Sequence, residues 1–335
     1  MKKLTITAKK IKILLVIIMF NKDIKYYYDE KIKKYVFSYL GNNYIIENNE
    51  ILTGESLKQV MGYECLVSVT NTLYEGFKEL HHHDFYEILY IRKGNFIFKV
   101  DEKKYNVSPG DVILVSPSTL HVLIQNEKNI EAERVVINVT EKFLMNMSTS
   151  QTNLLNVFEK AEKNKNYCIH LKNERKKKLD QYIDIVLKTQ GSNKFGEDIL
   201  CKIKLSQIFL LLNDEYDDIE NTNIISQNKI VTECIEYIDK NISKQFTIDD
   251  IASFINVSSS TISHTFKNHT GMPIYKFIIK KRMILAKKLI KENIDFQEIY
   301  IQCGFNDYTS FFRSFKKEFN LTPKEFKNII NLQTK

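Results

Sequence analysis

Ser258-Ser-Ser-Thr-Ile-Ser-His-Thr-Phe-Lys267 and, forty-odd residues on, Asn306-Asp-Tyr-Thr-Ser-Phe-Phe-Arg-Ser-Phe-Lys-Lys317 share one grammar. In the first, Ser258 is a helix N-cap, and Ile262 and Phe266, four apart, turn one stripe inward. Ser259, Ser260, Ser263, His264 and Lys267 are left on the outer face. Gly271 ends the helix as a left-handed cap. Ahead of it Thr247 caps a short helix with Asp249 and Asp250 in its first turn, where their charge suits the helix N-terminus. Ile248, Ile251, Ala252 and Ile255 form that helix's core face, and Asn256-Val257 make the turn. In the second stretch Asp295 caps Phe296 to Gln302 around Ile299, Cys303-Gly304-Phe305 turn, and Asn306 is expected to cap the next helix. There Phe311 and Phe315 face inward, leaving Tyr308, Thr309, Ser310, Arg313 and Lys316 outward. Ile251 corresponds to Ile299 and Phe266 to Phe315, so the offset grows from 48 to 49 across a longer second turn. A single helix-turn-helix pattern is often two packed core helices; an internal duplication is more specific.

Between the repeats, Ile274 to Glu292 contains no proline or glycine and reads as one helix. Nineteen residues at ~1.5 Å each make a rod of ~28 Å. Lys280, Lys281, Arg282, Lys287 and Lys288 lie along it. Lys229 to Asn241 forms an amphipathic helix in front, with Ile230, Cys234, Ile235 and Ile238 on one side. Net charge is 49 − 41 = +8. From Lys229 onward there are 17 Lys/Arg against 11 Asp/Glu, so most of the excess sits in this last third. That concentration points to a polyanionic partner there, although a solvated lysine-rich surface would give the same count.

Composition elsewhere is that of an ordinary soluble protein, and 335 residues suffice for two domains and a connecting region. Five scattered cysteines (Cys65, Cys168, Cys201, Cys234, Cys303) with no C-x-x-C imply free thiols in a reducing compartment, not a disulfide framework or zinc site. Lys9-Lys10 precede Ile11 to Phe20, an apolar run interrupted only by Lys12. It is too short to span a bilayer, and no small-residue cleavage site follows. The expectation is a cytoplasmic protein, whether this run is its first segment or translation begins at Met19.

From Glu64 to Val139 short apolar runs alternate with turn residues: Glu64–Val69, Tyr86–Ile91, Asn95–Val100, Asp111–Val115 and Arg134–Val139. This is the spacing of an all-β sandwich or barrel. Before it, Tyr35–Leu40 and Tyr44–Glu47 are candidate strands. Two motifs stand out: Gly76-Phe-Lys-Glu-Leu-His-His-His-Asp-Phe-Tyr-Glu87, and Pro109-Gly-Asp111 followed by Pro117-Ser-Thr-Leu-His121. Side chains alternate along a strand, so His81 and His83 share a face, with Glu87 in phase and His82 on the other side. With His121 from a later strand they offer donors for a divalent metal, or polar groups for a metal-free ligand pocket with Tyr86 nearby.

After Val139 the period becomes helical. Glu174–Lys188 and Asp198–Asn213 are helices, the second with a broad apolar face over Ile199, Leu200, Ile203, Ile208, Phe209, Leu211 and Leu212. A face this apolar needs a cover, and a second copy of the chain is one. Asn213 to Gln227, acidic and polar, reads as an interdomain linker.

His81-x-His83-x-x-x-Glu87 with Gly94 resembles the first cupin motif, and Pro117–His121 the second, with Thr119 where metal-binding cupins keep glycine. Residues 229–330 resemble the DNA-binding domain of AraC/XylS-type transcription regulators. The resemblance is carried by Ile251-Ala252, Ser258, Ile262, Phe266-Lys267, Gly271, Arg282, Ala286, Leu289-Ile290, Ile299, Cys303-Gly304-Phe305-Asn306-Asp307, Phe311, Arg313, Phe315-Lys316-Lys317 and Thr322-Pro323. Departures are Tyr300 for alanine, Asn320 for glycine, and Phe312 for a small polar residue. The resemblance implies a multidomain α and β chain: a cupin-like ligand-sensing β domain at 21–140, a helical dimerisation and linker region at 141–227, and an all-α double helix-turn-helix domain at 228–335. It implies a promoter as double-stranded DNA partner, a small-molecule effector such as a sugar, a homodimer and contact with RNA polymerase. It implies no cofactor, no catalytic residue and no membrane. By position the base-facing residues are Ser260, Ser263 and His264, then Thr309, Ser310 and Arg313; the ligand candidates are His81, His83, Tyr86, Glu87 and His121. Two other readings are a cupin-type metal enzyme with an accessory helical domain, and a regulator whose β domain is not a sensor.

Overall fold

The computed structural model describes residues 25–29, 34–39, 42–45, 65–71, 80–125, 132–190, 192, 194–216 and 224–333. The apolar run at Ile11–Phe20, Met19 and Gly76 lie outside them. The chain divides into two compact units, 1–66 and 67–335. In the first, β1 (Lys25–Asp29), β2 (Lys34–Tyr39) and β3 (Asn42–Ile45) make an antiparallel meander, with Tyr27 opposite Val36 and Phe37 opposite Tyr44.

The second unit begins with two antiparallel sheets. Their strands are β4 (Cys65–Asn71, whose first two residues fall at the unit boundary), β5 (Tyr86–Lys93), β6 (Phe96–Val100), β7 (Lys103–Val107), β8 (Asp111–Val115), β9 (His121–Gln125), β10 (Glu133–Val139), β11 (Cys168–His170) and β12 (Ile224–Gln227). The strand orders are β11-β8-β5-β10-β4 and β12-β7-β6-β9. All five residues of β8 are buried, as are the central five of β5. Such continuously buried runs require cover on both faces. Beyond β5 the cover includes α3 (Asn173–Thr189): Tyr90 Oη donates to Asp180 at 3.2 Å, and Arg92 binds Asp180 and Asp184 at 2.9 Å each. In β6 and β7 burial alternates, so Phe96, Phe98, Val100, Tyr105 and Val107 point to the core. Of the expected linker over 213–227, residues 217–223 lie outside the described ones, and its two ends are in regular elements. Helix α4 (Glu197–Tyr216) takes its first part, and β12 pairs with β7. Ile224 and Ile225, the two apolar residues of that strand, stand in a polar stretch that masks them. Before α3 and α4 lie α1 (Glu141–Met147) and α2 (Asn156–Lys163). Leu205, Ile208, Phe209, Leu211 and Leu212 of α4 are buried, whereas Ile199, Leu200, Ile203 and Leu210 are exposed.

The last third is helical: α5 (Lys229–Asn241), α6 (Ile248–Ile255), α7 (Ser259–Thr270), α8 (Ile274–Lys291), α9 (Phe296–Gln302), α10 (Tyr308–Phe319) and α11 (Pro323–Gln333). Thr247 and Asp250 form a capping box, Ser258 and Asp295 cap α7 and α9, and Gly271 closes α7 at φ 83°. The cap of α10 is Asp307, not Asn306: its carboxylate accepts from Ser310 N at 2.7 Å and from Ser310 Oγ at 2.8 Å. The longer second turn moves the cap on by one residue. Asn320 ends α10 at φ 54°, so asparagine takes the left-handed cap that glycine usually holds. Ile251, Ile299, Phe266 and Phe315 are all fully buried. Each repeat has its own core, one around Phe266 and Phe277, the other around Phe311 and Phe315.

Arg282 of α8 joins the repeats. It is nine-tenths buried, donates from Nη2 to Lys244 O at 2.9 Å, and lies over Phe246 of the first repeat and Phe305 of the second. The lysines along α8 are mostly engaged within the chain: Lys280 with Glu318, Lys281 with Asp239, and Lys287 with Asp84. Of the four, only Lys288 remains strongly exposed, beside Glu292. Periodicity places these lysines on the helix; the carboxylates that meet them come from other elements.

Gly304 is where the repeats close on one another. At φ 72° it is left-handed, and a Cβ there would lie 2.6 Å from Lys244 O and 2.9 Å from Ile242 O. Those are backbone atoms and cannot swing aside. Gly304→Ala should therefore cost about 3 kcal/mol or more in urea unfolding, from backbone strain plus overpacking. Gly196→Ala, also left-handed at φ 81° but with nothing within 4 Å, should cost about 1 kcal/mol. Equal losses at the two positions would rule out the close approach.

Candidate functional site

Two places bring together the residue types that the sequence pattern singles out. The first is the outer faces of α7 and α10. Ser260, Ser263, His264 and Lys267 are exposed, while Ile262 and Phe266 beneath them have no exposed surface. On α10 Thr309, Ser310, Arg313 and Lys316 are exposed above fully buried Phe311 and Phe315. Each helix thus offers a polar face on a rigid apolar base. Two named residues are less available. Ser259 is half-buried with its hydroxyl on Asp249, and half-buried Tyr308 packs edge-on against Tyr300 and near Phe311. The Tyr300 departure is thereby accommodated, as a partly buried aromatic packed against the second repeat's core. Ser310 is exposed, but its hydroxyl donates to Asp307. Asn268 joins this face without a signal of its own in the sequence; it lies 2.8 Å from His264 Nε2, and only the i, i+4 spacing hints at that pairing.

The second place is inside the β domain. His81 pairs with His121 in an isolated antiparallel bridge, with reciprocal backbone bonds of 3.0 and 2.9 Å. His83, Glu87 and His121 are each 1–2% exposed, and their donor atoms lie within 4.8 Å of one another. His83 Nε2 and His121 Nε2 are each 3.4 Å from the same Glu87 oxygen. The His81 ring is centred 4.4 Å from that of His121. Tyr86 is not part of this group; it points to the opposite face, its ring 4.6 Å from Phe158. Burial, helped by neighbouring carboxylates, pushes its hydroxyl up to about 12. His82 also points away, toward Glu318 at 3.5 Å.

The tautomers decide what the trio can do. His83 Nδ1 lies 2.8 Å from Phe85 O, and His121 Nδ1 2.9 Å from Thr119 O. A carbonyl only accepts, so each Nδ1 carries a proton and donates it. Each neutral ring then aims an Nε2 lone pair at one carboxylate oxygen. Burial pushes the His83 pKa down, favouring the neutral ring. Burial alone would raise Glu87, yet positive charge on the neighbouring His121 and His83 would hold it well below the carboxylate range. The three groups are compatible when one positive charge sits among them: a proton on an Nε2, or a divalent cation held by both rings and the carboxylate. Backbone carbonyls that orient imidazoles in this way are the usual outer support of a metal site. A ligand hydroxyl donating to an Nε2 is the third option.

The helix-turn-helix domain family model matches residues 251–329, and the AraC-like ligand binding domain model matches residues 66–146. The HTH-type transcriptional activator RhaS of Escherichia fergusonii is 24% identical over 271 residues, covering 79% of this chain and 92% of that protein. The uncharacterized HTH-type transcriptional regulator YdeC of Bacillus subtilis is 22% identical over 297 residues, covering 86% of this chain and 99% of that one. Among solved structures, ToxT from Vibrio cholerae O395 aligns over 80% of this chain and 98% of its own, at 13% identity and a TM-score of 0.33. Among the described residues no helix is long and apolar enough to cross a membrane.

Removing the carboxylate should leave two buried imidazoles without the oxygen they share. Glu87→Ala is expected to cost about 3 kcal/mol in equilibrium unfolding. Glu87→Gln, whose amide N–H can donate to one Nε2, should lose clearly less. An alanine variant as stable as the parent would show that the trio makes no net contribution.

Proposed function

Since the chain belongs to the AraC-type transcription regulators, with an AraC-like ligand-binding domain ahead of two helix-turn-helix repeats, we propose that α7 and α10 are its reading heads. They enter neighbouring segments of the major groove of a promoter. The supporting observation is the pairing of an exposed polar face with a fully buried apolar face on each of the two helices. Arg313 is the strongest base reader, since its guanidinium matches guanine O6 and N7 in bidentate fashion, worth ~1–3 kcal/mol of discrimination. Ser260, Ser263, His264 and Thr309 are short readers, direct or through water. Lys267 and Lys316 supply the salt-sensitive phosphate term. Ser259, Ser310 and Tyr308 support the heads more than they read, being tied to caps or packed on rings.

In this reading residues 21–140 sense the effector, 141–227 pair two copies, and 228–335 bind DNA. The effector reaches His83, Glu87 and His121, with His81 beside them; a sugar suits the cluster, because its hydroxyls both donate and accept. The protein works in the cytoplasm, as a regulator and not an enzyme, and acts on RNA polymerase from the promoter. The second copy is taken on the N-terminal half of α4. Ile199 and Ile203 are 54% and 49% exposed, and with Leu210 they continue along one side of the helix while the buried residues occupy the other. An unpaired apolar stripe on a helix is the kind of surface that homodimers cover.

Two measurements test this. Arg313→Ala should relax sequence preference, losing about ten-fold or more on selected sites and little on random DNA, whereas Lys316→Ala should weaken both evenly and flatten the salt dependence. Equal losses on both DNAs for Arg313→Ala would count against the assignment. In sedimentation at micromolar concentration the parent should be a dimer and Ile203→Glu a monomer; a monomeric parent, with and without DNA, removes the dimer.

A further inference from the structure

Residues 81–84 touch both functional halves of the second unit. Their side chains divide by parity. His81 and His83 lie with His121, ring centroids 4.4 and 4.9 Å from it. His82 and Asp84 leave the other side of the same backbone and meet the DNA-binding half. Asp84 accepts from Lys287 at 2.5 Å and from Lys291 at 3.4 Å, both on α8. His82 lies 3.5 Å from Glu318 of α10, and Glu318 also holds Lys280 of α8 at 2.6 Å. Lys287 is buried and stands over Phe319 and Phe326, so this contact reaches the second repeat's core.

The segment is anchored to the start of β9, which carries His121, and to the turn before it. His81 and His121 exchange two backbone bonds, and His83 O accepts from Ser118 N at 2.8 Å. A rearrangement around Glu87 that moves His121 or His83 therefore moves the peptide bearing His82 and Asp84. Asp84 is held by two lysines, and Glu318 by Lys280 with His82 beside it. Burial alone would raise Asp84, but Lys287 and Lys291 outweigh it and hold its carboxyl below the ordinary value. Glu318 is likewise pulled down to about 2 by His82 and Lys280 against its own burial. Lys287 is pushed down by burial and supported by Asp84, the balance expected of a desolvated ion pair.

The contact lies behind the reading heads. Lys280, Lys287 and Lys291 recur on one face of α8, seven and four residues apart, while Arg282 faces the cleft between the repeats on the other. The β domain thus does not cover Ser263, His264, Thr309 or Arg313, all of which stay exposed.

We propose that residues 81–84 are the transmission element of this regulator: the state of the His83–Glu87–His121 cluster sets the seating of His82 and Asp84 on α8 and α10, and through it the angle of the second reading head. His82 and Asp84 are positioning residues. They touch neither effector nor DNA. The inference rests on the assignment of α7 and α10 as reading heads, and Arg313→Ala tests that assignment separately.

Hydrogen exchange on the full-length protein reads the seating without needing an effector. Asp84→Asn should speed exchange of the α10 backbone about ten-fold and leave α7 unchanged, because the first repeat keeps its own core. Asp84→Glu should largely restore protection. Glu87→Gln, which alters only the cluster, should move α10 in the same selective way. Should Glu87→Gln fail to fold, His83→Gln carries the same reading. On a site selected by the parent protein, a one-base-pair insertion between the two contacted segments should weaken Asp84→Asn several-fold less than the parent, because a loosened second head tolerates the wrong spacing. If Asp84→Asn moves α10 and neither cluster variant does, the contact is a brace with no transmission and the proposal fails. It fails also if α7 and α10 respond alike, or not at all. If Arg313→Ala leaves sequence preference intact while the exchange results hold, the head assignment is what falls.

Discussion

One buried guanidinium decides whether two helix-turn-helix repeats behave as a single instrument. Arg282 rests between Phe246 and Phe305, one ring from each repeat, and ties down Lys244 O. Burial lowers its pKa, but an arginine remains charged, so the cost of desolvation is met by π faces and a carbonyl. Gly304 lets the second repeat come close enough for this to happen. Without that approach α8 would still be a rod, but the cores at its two ends would share no fixed point.

The β domain depends on the same rod from the other side. Leu80, Leu120 and Val122 join the first repeat's core, and His269 Nε2 lies 2.7 Å from Glu102 O. Asp84 and His82 reach the second repeat. Each repeat therefore has its own contact with the sensing half, and the two contacts differ in kind. The first is mainly apolar and the second mainly ionic. Ionic contacts respond steeply to small changes in geometry and solvation, which suits the second to carry a signal and the first to hold place.

Local rules are enough to place the helices of the last third. Thr247, Ser258, Gly271 and Asp295 all act where capping chemistry puts them. The inward pairs Ile262/Phe266 and Phe311/Phe315 are fully buried. The convergence of His83, Glu87 and His121 is legible from parity along a strand and one later motif. What local rules cannot supply is whatever depends on a distant partner. Lysines on α8 look free in the sequence because Asp84, Asp239 and Glu318 lie elsewhere in the chain. Tyr86 looks like a pocket residue because it is next to Glu87, although neighbours on a strand face opposite ways. The polar stretch ending at Gln227 hides a strand, since four residues on a sheet edge need little hydrophobicity of their own. Asn306 loses the capping role to Asp307 by the one residue that the longer turn inserts.

Behind α8 the β domain and the repeats are joined by a few specific pairs. Asp84 meets Lys287 and Lys291 through opposite charges, and His82 meets Glu318, so a change on one side of the contact is felt on the other. On the proposed transmission, a hybrid that joined this β domain to a foreign pair of repeats should still bind DNA and answer its effector less.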